Sequence, residues 1–94
     1  MPEEKALTLH PDGKRGVNVS RAKYEAVRAA MIEQLHNGGQ LTASQLFSGV
    51  QQSLGPAFQG SVAWYAEWVK LDLEARKVIE RLSGRPRRYR LMGS

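Results

Sequence analysis

The sequence predicts a mainly α fold with small β hairpins, of the α+β class: three helices with a hairpin before them and another after. Three observations carry this. Apolar residues recur every three or four positions in three central segments, as one face of a helix requires. Both ends of the chain instead alternate with a period of two, as half-buried strands do. Gly, Pro and Asn clusters separate the segments.

The elements follow in order. Ala6-Leu7-Thr8-Leu9-His10 alternates, Pro11-Asp12-Gly13-Lys14-Arg15-Gly16 is turn chemistry, and Val17-Asn18-Val19 alternates again, so 6–19 reads as a short hairpin. Ser20 is placed to cap a helix over 21–37, whose Tyr24, Val27, Met31 and Leu35 share a face and whose stop is Asn37-Gly38-Gly39. Thr42 and Gln45 have the spacing of a capping box, and Leu41 and Leu46 that of a hydrophobic staple, which start a second helix over 43–54. Leu46, Val50 and Leu54 line that helix, and Gly55-Pro56 ends it. A third helix over 61–77 carries Val62, Tyr65, Ala66, Val69 and Leu73 on one stripe and Trp64, Trp68 and Leu71 on another. At about 100° per residue its polar strip is Glu67, Lys70 and Glu74, expected in solvent.

From Val78 the period changes to that of a second hairpin over 78–92, turning at 83–87, with Tyr89 and Leu91 inward and Arg88 and Arg90 outward. Leu41, Leu46, Val50, Val69, Leu73, Ile79, Tyr89 and Leu91 are the expected shared core. Neither a repeat nor a low-complexity linker divides the 94 residues, which read as one domain over 1–94.

Composition narrows the function classes. An apolar share of 41% with 24% charged residues is globular, and no apolar run approaches the roughly 18 residues of a membrane span. The acidic start Met1-Pro2-Glu3-Glu4-Lys5 lacks a signal-like apolar stretch and there is no cysteine, so a soluble, cytoplasmic protein is expected. The net charge of +5 is not evenly spread. Residues 1–75 hold seven basic and eight acidic side chains, whereas 76–94 hold seven basic and Glu80 alone. A basic segment on a nearly neutral body suits a polyanion binder, or alternatively a solubilising tail.

The order of helix, short capped helix, longer helix and basic hairpin resembles a winged helix-turn-helix domain. Local sequence carries the resemblance further. Leu71-Asp72-Leu73-Glu74-Ala75-Arg76-Lys77-Val78-Ile79-Glu80-Arg81-Leu82, followed by Gly84-Arg85-Pro86-Arg87-Arg88-Tyr89-Arg90-Leu91, looks like the third helix and wing of bacterial winged-helix regulators. With the leading hairpin and Arg21-Ala22-Lys23-Tyr24-Glu25-Ala26-Val27, the chain is also similar to a family of small bacterial proteins of unknown function thought to share this fold. The fold resemblance covers roughly 20–92 and implies a binding module, since this scaffold serves both DNA reading and protein contacts.

The wing is the first candidate site. Arg85, Arg87, Arg88 and Arg90 place four guanidinium groups within six residues of a turn, and their planar forks match phosphate oxygens. Gln59 and Ser61, at the start of the third helix, offer neutral hydrogen-bonding groups to a DNA groove. The acidic residues Glu67 and Glu74 beside them argue against base reading, so contact with duplex DNA is expected to have low sequence specificity.

Trp64, Trp68 and Leu71 form the second candidate: either core covered by the leading hairpin, or an exposed ridge for a homodimer or protein partner. Lys14, Arg15, Arg21, Lys23 and Arg28 add a further basic surface, diluted by Glu25 and Glu33. His10 and His36 sit beside turns without metal-ligand spacing, and Asp72 and Glu74, two apart on a helix, point in different directions. Asp72 is expected to pair with a neighbouring arginine. The reading is a module with no cofactor, no metal and no catalytic residue, and with no membrane partner.

Overall fold

Ser20 and Thr42 begin the first two helices as their side chains dictate. In the computed structural model, which describes residues 4–93, the Ser20 hydroxyl accepts from the Lys23 N–H at the start of α1 (Arg21–Gly38). Thr42 and Gln45 form the reciprocal capping box of α2 (Ala43–Leu54). Gly39 and Gly55, with φ of 77° and 68°, close these helices with backbone that only glycine adopts at little cost. Ser61 caps α3 (Val62–Ala75).

That third helix ends two residues before the expected 77. No glycine marks the place; Lys77 takes the left-handed conformation (φ 63°), donating to the Glu74 carbonyl while Val78 donates to that of Leu73. This is a Schellman closure made by a lysine.

Among the described residues, five strands complete the structure. β1 (Lys5–Leu7) and β2 (Asn18–Ser20) form an antiparallel pair, with Ala6 opposite Val19. The pair reaches one residue beyond the expected 6–19 at each end, and its first strand stops at Leu7 instead of running on to residue 10. Thr8 turns inward, is almost fully buried, and exchanges bonds with Val17 through its N–H and its hydroxyl. Gly16 is required here: a Cβ on it would lie 1.8 Å from the Thr8 carbonyl oxygen. The expected turn then appears, closed by Gly13 donating to the His10 carbonyl. The acidic start Met1-Pro2-Glu3 lies outside the described residues.

The second sheet joins β3 (Leu41–Thr42), β4 (Ile79–Leu82) and β5 (Arg88–Leu91) in the order β3-β5-β4, all antiparallel. A strand from between the first two helices thus pairs with the last strand of the chain. Among the described residues no helix is long and apolar enough to cross a membrane.

The core lies where the three helices meet this sheet. Leu46, Val50, Val69, Leu73, Ile79 and Tyr89 are buried as expected, together with Val27, Ala30, Met31, Leu35 and Ala66, and Leu41 and Leu91 pack partly buried at its edge. Fully burying side chains of this size stabilises by about 1.5–3 kcal/mol each. The architecture is α+β, three helices and two small antiparallel sheets.

Candidate nucleic-acid interface and the charged clusters behind it

The β4–β5 register sorts the C-terminal arginines. Ile79, Arg81, Tyr89 and Leu91 fall on the inner face of the hairpin, and Glu80, Leu82, Arg88 and Arg90 on the outer. Arg90 stands directly opposite Glu80 and hydrogen-bonds to its carboxylate. Arg85, Arg87 and Arg88 are exposed and make no ion pair among the described residues. Arg88 opens β5, while the tip that carries Arg85 and Arg87, with Gly84 at φ 141° and a cis Arg85–Pro86 bond, borders an open recess of about 340 Å³ lined by Arg81, Ser83, Arg85 and Arg87. Of the four expected arginines, three are thus electrostatically uncommitted and one is partly neutralised.

Gln59 and Ser61 are both exposed, but Ser61 is engaged as the α3 cap, its oxygen accepting from the Trp64 N–H. Around Ser61 an open cleft of about 700 Å³ follows the α2–α3 turn, where Ser48, Gln51 and Gln52 add neutral polar groups.

The expected polar strip of α3 is corrected by the structure. Glu67 is exposed, whereas Lys70 and Glu74 are buried at 4% and 7% exposure. The helical wheel located these residues opposite the apolar stripe, and the second hairpin packs over that side too. Lys70 Nζ donates to Glu74 Oε2 at 3.0 Å and to the Tyr89 hydroxyl at 3.4 Å, and lies 4.6 Å from the centre of the Tyr89 ring. Arg81 brings Nε within 3.8 Å of Glu74 Oε1 from the inner face of β4. The signal was available in the sequence: if Ile79 faces inward, so does Arg81, and an inward arginine needs a carboxylate beneath it.

With that side covered, the outward line of α3 is Ala63, Trp64 and Glu67, flanked by the partly buried Trp68 and Leu71. Neither alternative for the tryptophans holds whole. Trp64 is 44% exposed and Trp68 half-buried, with ring centres 6.3 Å apart; Trp64 also meets Tyr65 edge-on at 5.1 Å.

Asp72 is fully buried and ties three elements together. It accepts from the Leu9 N–H at 2.8 Å, from the Tyr24 hydroxyl of α1, and from Arg76 Nε at 3.0 Å on each oxygen. The expected pairing with an arginine is therefore present. Burial, and then the bond to Asp72, push the Tyr24 phenol up to about 12 from 10.0.

Residues 5–89 match a family of unknown function, DUF6958. The chain belongs to this family. No curated protein and no solved structure matches it. The family match runs from β1 into β5, so it takes in the first hairpin, the two charged clusters around α3, and the second hairpin as far as Tyr89, with Arg85, Arg87 and Arg88.

Proposed function

We propose that this protein is a winged-helix module, not an enzyme, that contacts duplex DNA through the tip of its C-terminal hairpin with low sequence specificity. The observation that carries the reading is the set of three exposed, uncommitted arginines, Arg85 and Arg87 on the turn between β4 and β5 and Arg88 on the outer face of β5 where that strand begins. The strand order β3-β5-β4 supports the winged-helix part, since it joins the strand after the first helix to the wing's returning strand. A non-catalytic role is supported by the buried titratable groups: Lys70, Asp72 and Glu74 are each engaged with protein partners.

Burial of Lys70 and Glu74 leaves Glu67 as the charged residue on the outward line of α3, so that line keeps the net charge of −1 of the whole strip. Low specificity still follows from what that line offers. Ala63 and Trp64 stand where side chains able to hydrogen-bond base edges would be needed.

The test is a titration with random duplex DNA at several salt concentrations. Each phosphate neutralised releases counterion, at about −0.9 in log–log slope, so three engaged arginines give a slope of roughly −2.7. Replacing Arg85, Arg87 and Arg88 together with glutamine flattens it. Absence of binding at low salt, or a slope indifferent to the triple replacement, refutes the reading. A second reading, a dimer or protein-contact face on α3, has the exposure of Trp64 as its specific support. Sedimentation of the wild-type chain and of Trp64→Ala separates it, because a concentration-dependent dimer lost in the variant would favour contact through α3.

A further inference from the structure

A second basic cleft lies between the N-terminal hairpin and α1. It is an open recess of about 390 Å³, lined by Lys5, Arg21, Tyr24, Glu25, Arg28 and Arg76 among others. Arg21, Tyr24, Glu25 and Arg28 reach it from one face of α1, being three or four residues apart. Lys5 comes from β1 and Arg76 from the end of α3.

The charges here differ in how far they are satisfied. Arg21 is held by Glu25 at 3.1 Å and by Glu4 at 3.4 Å. Arg76 is fixed from behind: its Nε spans both oxygens of buried Asp72, which is itself held by Tyr24 and the Leu9 N–H. A guanidinium carries five N–H donors, and the side chain of Arg76 remains 45% exposed, so its position is set while part of its fork is open. Arg28 is half-buried and Lys5 exposed, and neither makes an ion pair among the described residues. Counting Glu4, Glu25 and Asp72 against the four cations leaves a single positive charge in excess, which suits one small anion better than a run of phosphates.

We propose that this cleft binds a small phosphate-bearing ligand, with Arg28 and the outer edge of Arg76 as the principal contacts and Lys5 as a third. Guanidinium forks held at fixed angles match the oxygens of a phosphate. The two carboxylates nearest the ligand are each matched by a cation, Asp72 by Arg76 inside the fold and Glu25, which lines the cleft, by Arg21 at 3.1 Å. The proposal is independent of the wing and of DNA.

Amide and arginine-Nε NMR shifts of the full chain, titrated with inorganic phosphate at constant ionic strength, provide the test. Saturable shifts at Leu7, Tyr24, Arg28 and Arg76 are expected. Arg28→Gln, which removes no ion pair of the fold, should weaken phosphate by about tenfold or more with the spectrum otherwise retained, and Lys5→Gln should weaken it less. The wing triple Arg85→Gln/Arg87→Gln/Arg88→Gln should leave phosphate affinity unchanged, which keeps this result separate from the DNA reading. Shifts that do not saturate, that spread over all basic residues, or that are insensitive to Arg28→Gln and Lys5→Gln overturn the site, as does loss of binding in the wing triple.

Discussion

The positive charge of the C-terminal third stands in two environments, and the contrast separates charge that builds the fold from charge that is free to act. Beneath the hairpin, Lys70 is buried with a carboxylate at 3.0 Å, an aromatic face and a hydroxyl around it. At the tip and the start of β5, Arg85, Arg87 and Arg88 are exposed with no ion pair among the described residues. The same hairpin provides both, because strand alternation sends Arg81 and Tyr89 inward while the turn projects its arginines outward.

The comparison breaks most visibly at Glu74. Glu74→Gln leaves the buried Lys70 ammonium with the exposed Glu67 carboxylate at 4.0 Å as its remaining counter-charge and should destabilise by up to about 3–5 kcal/mol in chemical denaturation. Replacing the pair together, Lys70→Met with Glu74→Leu, should cost far less or even stabilise, since no charge is then stranded and Arg81, 43% exposed, can turn to water. If the single and double variants lose the same stability, the cluster is not the enclosed ion pair described.

One residue further into the core, Leu73→Ala should cost about 2–5 kcal/mol through lost burial and the cavity left behind. A loss below about 1 kcal/mol would mean that another face of α3 is inside. The position of Leu73 was legible from the sequence, as were the boundaries of α2, because capping chemistry and a period of 3.6 act locally. What was not legible is the far side of the same helix. A wheel shows which residues share a face, not how many faces are covered, so Lys70 and Glu74 read as solvent-exposed although the second hairpin packs on them. The end of α3 was missed for a related reason: its left-handed closure uses Lys77, and only a glycine would have announced it. Of the candidate site, the outward parity of Arg88 and Arg90 could be read from strand alternation, whereas the Glu80–Arg90 pairing required the register.

Tyr24 sharpens the contrast on the opposite side of α3. Tyr24→Phe removes a donor to buried Asp72 and should cost about 1.5–3 kcal/mol near neutral pH. The phenol titrates at about 12 in the folded chain against 10.0 when unperturbed. Its contribution is therefore complete below pH 10 and fades as the pH rises toward 12. Thermal denaturation across that interval should show the wild type losing Tm more steeply than Tyr24→Phe. Parallel curves would mean that Tyr24 does not hold its proton through Asp72.

The smallest effect on stability is expected at the tip, and there the smallness itself is informative. Arg85, Arg87 and Arg88 contribute no ion pair among the described residues, so each glutamine replacement should stay within about 0.5 kcal/mol. The three sites lie close together, yet like charges removed from neighbouring positions relieve mutual repulsion, so the triple variant should be at least as stable as the wild type at low salt. The difference should shrink as salt screens the wild-type tip, with a Debye length of about 10 Å at 0.1 M. Chemical denaturation of both chains at two salt concentrations checks this directly. A triple variant destabilised by more than about 1 kcal/mol would show that the tip arginines brace the hairpin, and their charge would then belong with that of Lys70 instead of standing apart from it.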